Sequence, residues 1–328
     1  MSPVKINLNL NVHLYMHGSA GEAEIPPATE TSDRTIEDAI RLAISKMKPQ
    51  RSAKTTSNYM TALRSFGRFS PAGMRLSELS ESTIEAYAQW LRQEGVSPNT
   101  SSYYMRSLRT LLKDIDEQAG SLFARVFTGN ARTVKRAADR DTLLSLRTLQ
   151  VQPASYYALA RDVFMFCFYA QGMPFVDVAH LRTSHISHGY IVYRRQKTGQ
   201  RVSIRMEPCM QDIIDRYHRQ DSDLVFPLIP DDKTADELAY WHSLNRYNRA
   251  LKVLARRAGL DANLTSYVAR HTWASEAYRQ SVDLSVIAKA LGHANPKTTL
   301  TYVKELDDAT LANANRRLLA DFEDRSDT

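Results

Sequence analysis

Cysteine is nearly absent from this chain: there are two in 328 residues, Cys167 and Cys209. Two cysteines cannot build a disulfide framework, and these two do not have the close spacing of a metal-ligand pair. Cys167 sits in the apolar run VFMFCFY and reads as a buried thiol, so a reducing cytoplasm is the expected compartment. Long hydrophobic runs are missing as well. None approaches the ~20 residues that a membrane span requires, so no membrane partner is expected. The first residues lack a basic stretch followed by an apolar core and a cleavage site, and no secretion signal is expected. No cluster of histidine, cysteine or carboxylate residues has metal-ligand spacing, so neither a metal nor another cofactor is expected. Low-complexity blocks are absent too, and the length suffices for two domains that each bury a core.

What is present is positive charge. Lysine and arginine number 43 against 36 acids, a formal net charge of +7. A polyanion partner fits this excess without being required by it. The first 33 residues lean acidic, with Glu22, Glu24, Glu30 and Asp33 against Lys5, so the excess lies further on. The run RTVKRAADR, residues 132–140, holds Arg132, Lys135, Arg136 and Arg140 against Asp139. Taken alone it fits a solvated helix face as well as a polyanion contact.

Residues 4–16 alternate, with Val4, Ile6, Leu8, Leu10, Val12, Leu14 and Met16 on one side, which predicts a strand. A linker with Gly18, Gly21, Pro26 and Pro27 follows. From Thr35 the period becomes helical. Thr35 with Asp38 makes a capping-box-like start, and Ile36, Ile40, Ile44 and Met47 share a face before Pro49. A second helix carries Tyr59, Leu63 and Phe66. A third follows Ser80/Ser82 and carries Ile84, Tyr87 and Leu91 up to Gly95. A fourth starts near Ser97, carries Tyr104, Leu108, Leu111, Leu112 and Ile115, and brings Arg106, Arg109 and Lys113 together at helical spacing.

Beyond the basic run, SYYALARDVFMFCFYAQG predicts a strongly apolar helix closed by Gly172. GYIVYRRQKTGQRVSIRM predicts a hairpin turning through Lys197-Thr198-Gly199-Gln200, with Gly199 suited to a positive φ. Helices are predicted from Asp236, Thr265 and Leu284. The expected fold class is mainly α with a small β-sheet. The expected boundaries are 1–33 strand and linker, 34–120 helical bundle, 121–140 basic linker, 141–320 second domain and 321–328 tail.

One ordered set of residues then stands out. Lys197 lies at the hairpin tip, Arg270-His271-Thr272 opens a helix, Leu291-Gly292-His293 ends another, and Tyr302 sits among threonines in KTTLTYV. The block LTSYVARHTWASEAYRQSVDLSVIAKALGHANPKTTLTYV, with Arg-His-Thr, Leu-Gly-His and a late tyrosine in this order, resembles the last catalytic block of the tyrosine recombinase (phage integrase) family. SPNTSSYYMRSLRTLLKDI resembles the last helix of that family's core-binding domain, so the likeness covers nearly the whole chain.

The resemblance implies a two-domain C-shaped clamp: a helical SAM-like core-binding domain and a tyrosine recombinase catalytic domain around double-stranded DNA. It implies that Tyr302 attacks a phosphate to give a 3′-phosphotyrosyl bond, that Arg270 holds the non-bridging oxygens and that His293 supports the phosphate or the tyrosine proton. Lys197 would protonate the leaving 5′-oxygen. Arg106, Arg109, Lys113, Arg132, Lys135 and Arg136 would contact DNA. A homo-tetramer on two sites follows, joined by exchange of a C-terminal tail carrying Leu311, Leu318, Leu319 and Phe322, and a DNA-bending accessory protein is a further partner of this kind of reaction. Residues 1–16 fit either a reduced arm-type DNA-binding element or a strand packing on a neighbour. The chemistry asks for these residue types. A tyrosine, with a pKa near 10, is a weak nucleophile near neutrality, and a clamp of cations stabilises the charge that develops on the phosphate.

Two positions depart from the family pattern. Tyr267 stands three before Arg270 where a histidine is common; it can donate a hydrogen bond but cannot act as a base near pH 7. In QGMPFVDVAHL, Pro174 occupies the place of the family's first arginine, while Asp177 matches its acidic position. Strand alternation predicts that Arg195, two residues before Lys197, shares its face and supplies the missing charge, whereas Arg194 does not. Three readings follow: a site-specific recombinase of integrase or invertase kind, a cleavage-deficient DNA-binding accessory protein of the same fold, and a type IB topoisomerase.

Overall fold

The computed structural model describes residues 34–47, 53–131, 138–260 and 263–293, with Thr299, Arg316 and Leu319. The strand expected over 4–16, the cations Arg132, Lys135 and Arg136, Tyr302, and Leu311, Leu318 and Phe322 of the tail lie outside the described residues. The chain divides into two compact units, Met1–Arg132 and Thr133–Thr328.

The first unit is a helical bundle. Helix α1 spans Ile36–Met47, α2 Ala53–Phe69, α3 Glu81–Gln93 and α4 Pro98–Ile115. Each start has a local cause. Thr35 Oγ1 accepts the Asp38 amide at 3.1 Å and donates to its carboxylate at 2.7 Å. Ser80 and Ser97 cap α3 and α4 by accepting the amides of Thr83 and Thr100, and Pro98 occupies the first turn of α4. The apolar faces then meet in one core built on Ile40, Leu63, Phe66, Ile84, Tyr87, Leu91, Leu108 and Leu111. Burying each such side chain contributes about 1.5–3 kcal/mol, so the core as a whole outweighs the caps at about 0.5–2 kcal/mol each.

The second unit contains α5 (Arg140–Thr148), α6 (Tyr156–Tyr169), α7 (Phe175–Ala179), α8 (Pro208–Tyr217), α9 (Glu237–Arg257), α10 (Val268–Arg279) and α11 (Leu284–Leu291). Its sheet has strands β1 (Ile186–Ser187), β2 (Tyr190–Arg194) and β3 (Arg201–Arg205), antiparallel in the order β1-β2-β3. Helix α6 is apolar nearly all round because α5, α8, α9 and α10 all pack on it. Ile191, Tyr193, Val202 and Ile204 point from the hairpin into the same core.

Three local differences from the sequence reading have simple causes. Helix α10 begins at Val268, not Thr265, because residues 265–267 form a turn in which Thr265 accepts the Val268 amide at 3.0 Å. Strand β1 is two residues long, too short to show a period. Helices α5 and α8 are short amphipathic pieces that polar flanks obscure. Among the described residues, no helix is long and apolar enough to cross a membrane.

Candidate catalytic site

The site is assembled where the ends of α6 and α11, the start of α10 and the hairpin loop converge. Helix α6 stops in a turn with Gln171 at φ +56 and Gly172 at φ +72. A Cβ on Gly172 would lie 2.9 Å from the Arg270 Cα, so no side chain fits there. This close approach lets the Gly172 carbonyl accept from Arg270 Nη1 at 3.0 Å. Arg270 is 2% exposed, and its Nη2 donates to the Leu291 carbonyl at 2.6 Å and meets His293 Nε2 at 3.0 Å.

A guanidinium can only donate, so His293 Nε2 is the acceptor and the imidazole is neutral. The ring proton therefore sits on Nδ1 and is donated to Thr299 Oγ1, 2.9 Å away. The electrostatics agree: burial, then the charges of Arg270, Arg195 and Lys197, push the His293 pKa down to about 4.

Helix α11 ends at Gly292 in the left-handed region, φ +64, with the His293 amide returning to the Ala288 carbonyl at 2.9 Å. This leaves the Leu291 carbonyl facing the site, where it accepts from both Arg270 and Arg195. A helix C-terminus carries partial negative charge, which helps it hold two guanidinium groups together. Arg195 is 7% exposed, and its Nε lies 2.9 Å from Asp177 Oδ2 on α7, an ion pair without hydrogen-bond alignment. Asp177 Oδ1 also accepts the Gln196 amide at 3.0 Å. Burial raises the Asp177 pKa, against the opposing pull of the Gln196 amide, Arg195 and Arg270.

Arg195 does not share a face with Lys197. Strand β2 ends at Arg194, and Arg195 opens the loop, its amide donating to the Gln200 carbonyl at 2.9 Å. Beyond that bond the chain turns and the period of two no longer applies. Arg195 is buried, while Lys197 is exposed in the turn. Arg194 points outward and its Nη1 donates to the Gly199 carbonyl at 3.1 Å, with Gly199 at φ +66.

Other residues singled out by sequence fall as follows. Pro174 caps the start of α7 and brings no charge. Tyr267 precedes α10, is 47% exposed and has its ring 5.6 Å from that of His271. Trp273 packs on the small cluster of Ala274, Ile287 and Leu291. On α4, Arg106 donates to Asn130 Oδ1 at 3.1 Å, Arg109 is half-buried and the Lys113 stem lies over Gly120. Gly172 as a close-approach glycine and Thr299 as the partner of His293 were missed by sequence reasoning; the only available signal was a glycine directly after a helix.

Comparison with known proteins finds family matches in both units. The phage integrase family model matches residues 138–308, just over half of the chain, and the phage integrase SAM-like domain matches residues 35–114. The tyrosine recombinase XerD of Shewanella oneidensis is 24% identical over 268 residues, covering 76% of this chain and 86% of the relative. Transposase A from transposon Tn554 of Staphylococcus aureus is 27% identical over 139 residues, 42% of this chain and 37% of the relative. A lambda integrase dimer bound to a COC′ core site has a similar fold, with TM-score 0.62 and 16% identity, covering 83% of this chain and 78% of that one. The Tn1549 transposon integrase in complex with transposon right end DNA superposes with TM-score 0.60 at 14% identity, covering 86% and 99%. With its mainly helical architecture, small three-stranded sheet and matched catalytic and SAM-like segments, the chain belongs to the phage integrase family of tyrosine recombinases.

Proposed function

We propose that this chain is a site-specific DNA recombinase that cuts and rejoins duplex DNA through a 3′-phosphotyrosyl bond on Tyr302. The observation that carries the reading is the convergence of Arg195 and Arg270 on the Leu291 carbonyl, with neutral His293 beside them. Arginine suits the role, since its planar fork matches two phosphate oxygens. In this scheme Arg270 and Arg195 hold the non-bridging oxygens, and Arg195 supplies the charge that Pro174 cannot. Tyr302 Oη attacks phosphorus, and the bond to the 5′-oxygen breaks. Lys197 protonates that oxygen, while the His293 Nε2 lone pair, freed from Arg270 once phosphate engages the guanidinium, takes the tyrosine proton. The phosphate ester is conserved, so rejoining is the reverse step and needs no ATP.

The remaining expectations belong to the same reading. Tyr267 hydrogen-bonds the phosphate, Arg106, Arg109, Lys113, Arg132, Lys135 and Arg136 contact the DNA backbone, and four protomers act on two sites through their C-terminal tails. The lambda integrase described as a tetramer bound to a Holliday junction, 16% identical with TM-score 0.63, supports this assembly. A DNA-bending accessory protein and a cytoplasmic setting complete it. The metal-free scheme separates it from phosphoryl transfer on bound magnesium.

Pro174 favours a second reading, a DNA-binding accessory protein that has lost cleavage. A nicked suicide duplex bearing the target site decides between them, because the broken strand cannot be resealed and the covalent product accumulates. The recombinase reading expects an adduct with the wild-type chain and none with Tyr302→Phe, site affinity staying within a few-fold. Binding without adduct by the wild-type chain would establish the accessory reading.

A further inference from the structure

The solvent face of the β2–β3 ribbon carries charge that the catalytic site does not use. Tyr190, Val192 and Arg194 line this face on β2, and Arg205, Ser203 and Arg201 lie opposite them in register. Arg194, Arg201, Ser203 and Arg205 are exposed, whereas the alternate residues Ile191, Tyr193, Val202 and Ile204 are buried. No acidic residue shares the face. Neither Arg201 nor Arg205 makes an ion pair with a described residue.

The ordinary explanation is edge protection. Strand β3 ends the sheet, and charged side chains on an edge strand discourage pairing with other chains. That role needs charge on β3 alone. It does not account for the facing pair: Arg194 of the inner strand stands directly opposite Arg201, where like charges repel, and its bond to the Gly199 carbonyl uses only one of its five donors. An anion between them would turn the repulsion into a shared contact.

The position of the pair says which anion. Arg194 is three residues from Lys197, so even a fully extended chain places their Cα atoms within about 11 Å. Arg201 and Arg205 are four residues apart on one strand, roughly 14 Å at the usual rise. Successive phosphates of one DNA strand advance ~3.4 Å along the helix axis and also turn around it, so they lie farther apart than that rise. The interval therefore spans fewer than about four base-pair steps but more than one phosphate. We propose that this ribbon face is a DNA-backbone contact: Arg194 with Arg201, and separately Arg205, grip phosphates flanking the one that is cut. The inference rests on the recombinase reading above and extends it to a surface outside the catalytic cluster.

The test uses the full chain and a fluorescent duplex of about 30 base pairs with arbitrary sequence, since phosphate contacts are sequence-independent. Affinity is measured by anisotropy across a salt series. Each lost phosphate contact lowers the magnitude of the slope of log affinity against log salt by ~0.9. The double variant Arg201→Ala/Arg205→Ala removes the Arg205 contact and leaves Arg194 alone on the shared phosphate, so it is expected to lose about one unit of slope and bind about fivefold more weakly near 0.15 M salt. Arg201→Lys/Arg205→Lys should keep the slope, which guards against a folding defect in the alanine pair. Arg41→Ala/Arg219→Ala removes the same net charge from side chains paired with Glu37 and Asp231, and should also keep it. An unchanged slope in the alanine pair, a loss in the lysine pair equal to that in the alanine pair, or an equal loss in the Arg41/Arg219 control overturns the proposal. Failure of the wild-type chain to bind any duplex strikes instead at the recombinase reading itself.

Discussion

Replacing Arg195 by alanine separates a charge that acts on DNA from one that merely neutralises a buried carboxylate. Arg195 is 7% exposed and pairs with Asp177, which is 2% exposed. Breaking a buried ion pair by removing one partner costs ~3–5 kcal/mol, which is an upper bound here. Asp177 keeps the Gln196 amide, and burial already raises its pKa, so it can take up a proton when Arg195 is gone. The stability loss should therefore fall below that bound. The catalytic loss should not, because removing one donor from a transition-state clamp typically slows the chemical step ~10²–10³-fold, about 2.7–4 kcal/mol. The assay is single-turnover formation of the covalent adduct on a nicked suicide duplex at saturating protein, with urea melts run in parallel. Arg195→Ala should cut the rate at least ~100-fold with little change in site affinity, and Arg194→Ala should be mild. The decisive variant is Arg195→Ala with Asp177→Asn, which removes the orphaned carboxylate. Stability should recover while cleavage stays low. Recovery of cleavage to within about tenfold of wild type would refute the phosphate role and leave Arg195 a structural counter-ion.

Gly172→Ala should destabilise the second unit by at least ~2 kcal/mol, since alanine is strained at φ +72 and its Cβ would press on the Arg270 backbone. A calorimetric melt should show its transition falling by about 4 °C or more; a shift near zero would mean that the turn adjusts freely. Stability should also decline as pH falls from 6.5 towards about 4, because His293 binds a proton readily when unfolded and resists it when folded. His293→Gln should flatten that part of the profile in urea melts, and an unchanged profile would reject the neutral imidazole. Adduct formation should persist in EDTA; complete loss that magnesium restores would point to a different phosphoryl-transfer chemistry.

Much of the local structure was legible in the residues. The four bundle helices follow from a 3.6-residue apolar period and from caps such as Thr35, Ser80 and Ser97, which act within one turn. The hairpin follows from two β-rich runs around a positive-φ glycine, and the helix starts read at Asp236 and Leu284 fall at the observed N-terminal ends of their helices. The order of Lys197, Arg270, His293 and Tyr302 was equally plain, since it is a property of the chain itself. The pieces β1, α5 and α8 were not, because two residues of β1 show no period and polar flanks obscure the apolar faces of α5 and α8.

The geometry of the candidate site was decided elsewhere. Arg195 meets the Leu291 carbonyl across 96 residues, and Arg270 meets Gly172 across 98. Alternation pointed to Arg195 for a reason that failed at the loop, and the burial of its guanidinium against Asp177 depends on how α7 packs beside the hairpin. The neutral state of His293 likewise reflects burial and three cations brought together from separate segments. Sequence determines what is set by neighbours within a turn or a strand; long-range packing alone chooses which charges share a low-dielectric pocket, and so which protons they hold.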